Sequence, residues 1–245
     1  RNNYTGGDVS FREIAMYDLG EEHFLRASAA RASHAHGFFE YYARIPFAVT
    51  GNPDLQATTV MNYELGYRGA FIERKVFFDT SVFSNQLEKI RNATAARSFL
   101  NENNADVYGV ESGFEWVPWS WLKGYTNYTY LFVNDKLSQY NTQDPHNRVN
   151  AGATLFTRRY LPFDYIDARY SYVGAIDTLS EQGPSSPKVK DPRYHKLDLK
   201  VARKICRGHG EVSVAAENAL SPHHLEFGNQ VKVDRKVYLV LKVDF

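Results

Sequence analysis

The sequence predicts an all-β chain that forms part of an antiparallel transmembrane β-barrel, and three observations carry that expectation. Apolar and polar residues alternate with period two in segment after segment, which gives each strand a greasy face and a charged face. The connections between segments alternate between tight turns and long loops, as the two ends of an outer-membrane barrel do. Aromatic residues are abundant, 17 Tyr, 16 Phe and 3 Trp in 245 residues, and many stand near segment ends, where interfacial girdles belong. A mean hydropathy of -0.47 does not oppose a membrane location, because averaging hides the apolar half of an alternating strand.

In chain order the pattern predicts eleven strands, near 8–18, 22–35, 58–70, 74–88, 106–117, 121–134, 147–158, 164–178, 193–205, 210–218 and 236–245. The third sets Met61, Tyr63, Leu65 and Tyr67 against Asn62, Glu64, Gly66 and Arg68. The seventh sets Val149, Ala151, Ala153 and Leu155 against Arg148, Asn150, Gly152 and Thr154. Ile166, Ala168, Tyr170 and Tyr172 alternate with Asp167, Arg169 and Ser171, and Leu197, Leu199 and Val201 with Lys196, Asp198, Lys200 and Ala202. The last strand offers Val237, Leu239, Leu241, Val243 and Phe245. Tight turns fall at Gly20-Glu21, 71–73, 118–120, 159–163 and 207–209, and long loops near 36–57, 89–105, 135–146, 179–192 and 219–235. Trp116, Trp119 and Trp121 crowd one tight turn. That cluster would be a costly patch in water, but it anchors a chain at a membrane boundary.

Composition excludes several classes. The charges balance at 29 Lys+Arg and 28 Asp+Glu, without the basic excess of a nucleic-acid-binding protein, so no nucleic-acid partner is expected. One cysteine, Cys206, cannot form an internal disulfide, and no Cys/His spacing suggests zinc. No nucleophile motif such as G-x-S-x-G occurs, and Ser33-His34 is the nearest hydrolase candidate. The expectation is therefore a non-enzyme without a cofactor. The chain opens at Arg1 without a start methionine or signal peptide and reads as a mature product or a fragment.

Several segments resemble the C-terminal half of the barrel of TonB-dependent outer-membrane receptors. Gly51-Asn52-Pro53-Asp54-Leu55 followed by Asn62–Gly69 (NYELGYRG) is one; Val107-Tyr108-Gly109-Val110-Glu111 with Phe114-Glu115-Trp116-Val117-Pro118 is another. Trp121-Leu122 with Asn127–Leu131 (NYTYL), and Val214–Leu220 (VAAENAL), follow in the family's order. The resemblance implies half of a 22-stranded barrel, with the plug domain and TonB-contacting box outside this chain. It implies a Gram-negative outer-membrane location and TonB-dependent uptake of a scarce ligand, an iron–siderophore chelate first. Haem or cobalamin uptake and a passive porin-like channel are the alternatives. The implied partners are outer-membrane lipid, the chelate, the TonB complex acting through the plug, and the barrel assembly machinery reading the strand that ends at Phe245.

The candidate residues divide by location. Glu64, Arg68, Asp79, Glu111, Glu115, Arg148, Asp167, Arg169, Lys196, Asp198, Lys200, Glu211 and Glu217 are expected on the polar, lumen-lining face. The 36–57 loop carries Phe38, Phe39, Tyr41, Tyr42, Arg44 and Phe47. Aromatic rings beside a guanidinium suit a flat anionic or catecholate chelate, and packing of the loop on itself would use the same rings. His34 and His36 stand where haem-importing relatives have an FRAP box, which this chain does not preserve, and Asn52–Leu55 resembles their NPNL box. His223-His224 is a further histidine pair in a loop.

Overall fold

Period-two alternation leaves each segment with one face to bury and one to wet, and the chain meets that demand with a single curved wall of strands rather than two packed sheets. The structure is a computed structural model in which residues 7–46, 48–93, 98–135, 144–157, 161–178, 189–221, 223–226 and 231–243 are described. In order these form β1 (Phe11–Gly20), β2 (His23–His34), helix α1 (Phe38–Tyr42), the short pair β3 (Arg44–Ile45) and β4 (Val49–Thr50), then β5 (Thr58–Phe71) and β6 (Val76–Ala93). There follow β7 (Phe99–Trp119), β8 (Leu122–Asp135), β9 (Asn147–Phe156), β10 (Tyr165–Val173), the pair β11 (Ile176–Thr178) and β12 (Val189–Asp191), and β13 (Tyr194–Ile205). The chain ends with β14 (Gly210–Glu217), the pair β15 (His223–Glu226) and β16 (Val231–Asp234), and β17 (Lys236–Val243).

One 11-stranded sheet contains β1-β2-β5-β6-β7-β8-β9-β10-β13-β14-β17. Every neighbour pair is antiparallel. It is a meander: each wall strand pairs with its predecessor and successor among wall strands, as the alternation predicts. The three remaining pairs are two-stranded ribbons within the long loops. β1 and β17 end the order without meeting, so the described wall is a partial, unclosed barrel.

Register fixes the faces. Leu65 pairs with Val82, Val82 with Val110, and Val110 with Tyr130, so their side chains share one face. On the far side Leu155, Ile166, Val201, Val214 and Leu239 form a row on that same face. The apolar sets read from sequence all fall there and the charged sets all fall opposite. Leu239 is 78% exposed and Leu65 61%, so no second sheet covers them. Buried apolar side chains among the described residues are confined to Tyr41, Leu55, Phe99, Ala105, Val133 and Ala202. A water-soluble fold of this length would bury far more.

The exposed face also has a membrane's vertical order. Leu122 to Phe132 on β8 rise about 33 Å along the strand, which a tilt of about 40° lowers to roughly 25 Å, the height of an apolar band. Trp119 and Trp121 stack at the lower end with centroids 4.9 Å apart, while Asn134 and Asp106 pair just above the upper end. β1 is an exception to the clean division. Ile14 and Met16 pair with Ser28 and Arg26 and therefore lie on the polar face.

The boundaries differ from expectation in four places. The 89–105 segment is mostly strand, because β6 and β7 continue beyond the band as one hairpin. The 36–57 loop contains a helical turn and a ribbon. Pro118 lies inside β7, at a bulge between Trp116 and Trp119. The expected 164–178 strand ends at Val173, and 176–178 turns into a separate ribbon. Phe47, Tyr160 and Phe245 lie outside the described residues.

Candidate functional site

The loop after β2 is built on close backbone contacts. Gly37 begins α1, and Ala43 donates its N–H to Phe39 O at 2.9 Å to end it. The chain then returns through β3 and β4 so that Gly51 N–H meets Ala43 O at 2.7 Å and Asn52 N–H meets Glu40 O at 2.8 Å. A Cβ on Gly51 would stand 2.6 Å from Tyr41 C, so glycine permits this crossing. Asn52 shapes the next turn by accepting from Asp54 N–H at 2.9 Å. Its amide also reaches Phe99 O at 2.9 Å, which ties the Asn52–Leu55 turn to the start of β7.

Beneath the loop Tyr41, Leu55 and Phe99 form a small core with Val49 against it. Arg91 lies 4.9 Å over the Phe99 ring and 3.6 Å from Glu40. Asn101 accepts from Gln56 N–H at 2.7 Å and donates to Gln56 O and Lys89 O at 3.0 and 2.6 Å. The loop and the β6–β7 hairpin thus make one body beyond the apolar band.

Its surface separates the residues that the sequence grouped together. Phe38 is 71% exposed, and Phe39, Tyr42 and Arg44 are also exposed. Phe38 and Tyr42 face each other one turn apart at 4.8 Å. Tyr41 is 3% exposed and belongs to the loop core. His34 and His36 have ring centroids 6.1 Å apart, but His36 Nε2 is engaged with Gln56 O at 2.9 Å. Burial holds His36 below the usual imidazole range, against the opposing pull of that bond. Among the described residues no cluster of three or more His, Cys, Asp or Glu could hold a metal ion. His224 stacks on Tyr194 at 4.3 Å. Ser33 and His34 are adjacent on β2, so their side chains leave opposite faces and do not converge.

On the polar face the carboxylates fall into two groups. Across β9–β14 they are partnered: Lys200 with Glu211 at 2.6 Å, Tyr165 hydroxyl to Glu211 at 2.8 Å, Arg169 with Asp167 at 2.8 Å, and Lys196 with Asp198 at 2.9 Å. Across β5–β8 Arg26 pairs with Glu64, but Arg68, Asp79, Glu111 and Glu115 line a groove of about 680 Å³ without a side-chain partner among the described residues. Sequence reading placed these residues, Arg26 and Tyr165 apart, on one face. It gave no sign of which were paired, because pairing depends on register. Phe99 and Asn101, which hold the loop, were missed because the stretch was read as loop.

With this geometry in place, the family whose description is "TonB dependent receptor-like, beta-barrel" matches residues 1–219. The chain belongs to that family. Solved structures of similar fold include the siderophore receptor PirA from Acinetobacter baumannii, with TM-score 0.79 and 15% identity over 99% of this chain and 42% of that one. The ferripyoverdine receptor of the Pseudomonas aeruginosa outer membrane, bound to ferripyoverdine, gives 0.76 and 16% over 96% and 32%. The copper transporter OprC gives 0.73 and 15% over 96% and 39%. The chain therefore spans 32–42% of the length of these barrel proteins, and identities this low speak for the fold alone. No curated protein sequence matches. The TonB-dependent receptor barrel is an outer-membrane architecture, and no helix among the described residues is long and apolar enough to cross a membrane, so strands are the elements that would span it.

Proposed function

We propose that this chain is the C-terminal part of the barrel of an outer-membrane receptor that takes up an iron–siderophore chelate by TonB-dependent transport. The observation that carries the reading is the wall itself: an exposed apolar face of bilayer height, a charged face opposite, and a folded loop body at one end. Energy would reach it through a plug domain contacted by the TonB complex. Assembly would proceed through the last wall strand, β17.

Phe38, Phe39, Tyr42 and Arg44 form the chelate-facing surface, and Tyr41 supports it from behind. Flat aromatic rings beside a fixed positive charge suit a catecholate or similar anionic chelate by stacking and charge. Siderophore receptors among the similar structures support that class. The haem reading, through His34 and His36, is weakened by the bond that occupies His36 Nε2.

Uptake of labelled iron by cells expressing the full-length protein, across a panel of ferric chelates, haem and cobalamin, tests this. Energy-dependent uptake of one siderophore class is expected. Free diffusion of small sugars without uptake of any chelate would replace the receptor with a passive channel.

A further inference from the structure

The outward face of β1 breaks the apolar pattern at Glu13. Leu65 pairs with Ala27 and Ala27 with Ala15, which puts both alanines on the lipid-facing side. Glu13 and Ala29 pair with each other two residues further along their strands, so they share that side. Phe11 stands beyond Glu13 on the same face of β1 and Tyr17 stands toward the turn, so the carboxyl group lies inside the apolar band. It is exposed, and no hydrogen bond or ion pair engages it among the described residues. Arg31, two residues from Ala29 on β2, is held by Asp8 at 2.8 Å. An ionisable side chain in hydrocarbon is costly until a donor reaches it, and this one points to a partner outside the described wall.

The surroundings of Glu13 narrow the choice. Ala15, Ala27 and Ala29 line a depression with Glu13 at one side and Tyr63 and Leu65 at the other. Tyr63 pairs with Ala29 and Leu65 with Ala27, so β2 runs between a low side on β1 and a raised side on β5. Tyr63 is 47% exposed and Leu65 61%, and the Tyr63 hydroxyl has no hydrogen-bond partner among the described residues. A lipid tail would fill the hollow but bring no donor. An isologous contact needs one patch that is complementary to itself. Here the acceptor and the hollow lie on one side of β2, and the donor and the ridge on the other, which meets that need. Two copies in one membrane keep the same orientation, so their two-fold axis runs along the membrane normal. Strands about 4.8 Å apart and tilted by about 40° climb by about 3 Å per strand, so Glu13 and Tyr63 differ in height by about 6 Å. The joint length of a Glu and a Tyr side chain spans that step.

We propose that the full-length receptor forms a two-fold dimer in the membrane through this face, with the Glu13 carboxyl of each copy accepting from Tyr63 of the partner subunit. Leu65 of the partner subunit fills the hollow over Ala15. Ala27 and Ala29 meet their own copies at the axis, where small side chains let the two walls come close. The contact uses the outward face and leaves the free edge of β1 to the rest of the barrel. The inference goes beyond the uptake reading. A receptor that transports as a monomer overturns the dimer alone, and a dimer that transports no chelate overturns the uptake reading alone.

The test uses the full-length protein in the outer membrane, with the photo-reactive p-benzoylphenylalanine placed either at Val82, on the rim of the depression, or at Leu239, on the far side of the outward face. Illumination should link two copies from Val82 and not from Leu239. Light scattering of the protein extracted in polymer-bounded native nanodiscs should give the mass of a dimer. Glu13→Leu and Tyr63→Phe should each weaken dimerisation about tenfold or more. The two together should do little more than either alone, because both remove the same contact. Variants are scored for folding by heat-modifiable gel mobility, and if they misfold the mass and the cross-linking pattern of the protein with Glu13 and Tyr63 intact decide the matter. A monomer mass, equal cross-linking from the two positions, cross-links to another protein in place of a second copy, or full dimerisation of the folded variants overturns the proposal.

Discussion

Phe38 and Tyr41 stand in one turn of α1, yet the structure gives them opposite surroundings. Tyr41 fills the space between Leu55 and Phe99. Truncating a buried aromatic costs about 3–5 kcal/mol, so Tyr41→Ala should loosen the 36–57 loop and expose it to protease. Phe38→Ala should leave protease protection intact and weaken chelate binding roughly threefold to tenfold, as an exposed aromatic contact contributes; the two readouts together check the division of roles. The sequence marked the whole aromatic cluster but could not divide it, because the face of a five-residue helix is set by Phe99, far along the chain. His36 adds a pH dependence. Burial lowers its folded value below the reference of 6.5, so the folded loop favours the neutral ring. That contribution is complete above about pH 6.5 and is lost as pH falls through the lower folded value. Protease protection of the loop should therefore drop on acidification, and His36→Gln should flatten that response. Glu40 and Arg91 are charged groups that the same loop body brings near the ring.

At the scale of elements, the turns and the bulge carry information that alternation does not. Glu21 and Glu22 both have positive φ, 52° and 68°, the pattern of a two-residue turn that favours Asn-Gly. Replacing them with Asn-Gly should relieve a left-handed penalty of about 1–2 kcal/mol per residue. Loss of the Arg74 partner of Glu22 takes little back, because that pair is exposed and screened. A higher guanidinium midpoint for the folded chain in lipid is the expected result. A charge on the apolar face tests the opposite effect. Leu65→Arg should cost about 2–4 kcal/mol near the bilayer middle, and Asn62→Arg, on the polar face, should cost far less. The period-two pattern located every wall strand, since a strand half in lipid must alternate. It missed the upper half of the β6–β7 hairpin for a physical reason: Asn101, Asn103 and Asn104 have poor strand propensity. The side chains of Asn101 and Asn104 hold the strand instead, with Asn104 accepting from Lys89 N–H at 3.0 Å where Lys89 turns to a φ of 58°.

For the whole wall, the decisive fact is that eleven antiparallel strands put β1 and β17 in the same direction. These two strands cannot close on each other in the antiparallel pattern that every other pair uses. Each instead presents one side of its backbone to whatever lies beyond. β1 has ten residues, and alternate residues of an edge strand turn their N–H and C=O outward, so about five such pairs stand free on it. In lipid each unpaired group costs roughly several kcal/mol, so one edge alone outweighs a folding margin of about 5–15 kcal/mol. The 245-residue chain expressed by itself should therefore self-associate through β1 and β17 or aggregate. Co-expression with strands that flank it should suppress this, whereas variants in the middle of the wall should not. Mass measurement of the detergent-refolded chain with heat-modifiable gel mobility separates the outcomes. A monodisperse monomer that conducts stably in a planar bilayer would mean that the two edges close on each other after all, and that the wall is a complete small barrel.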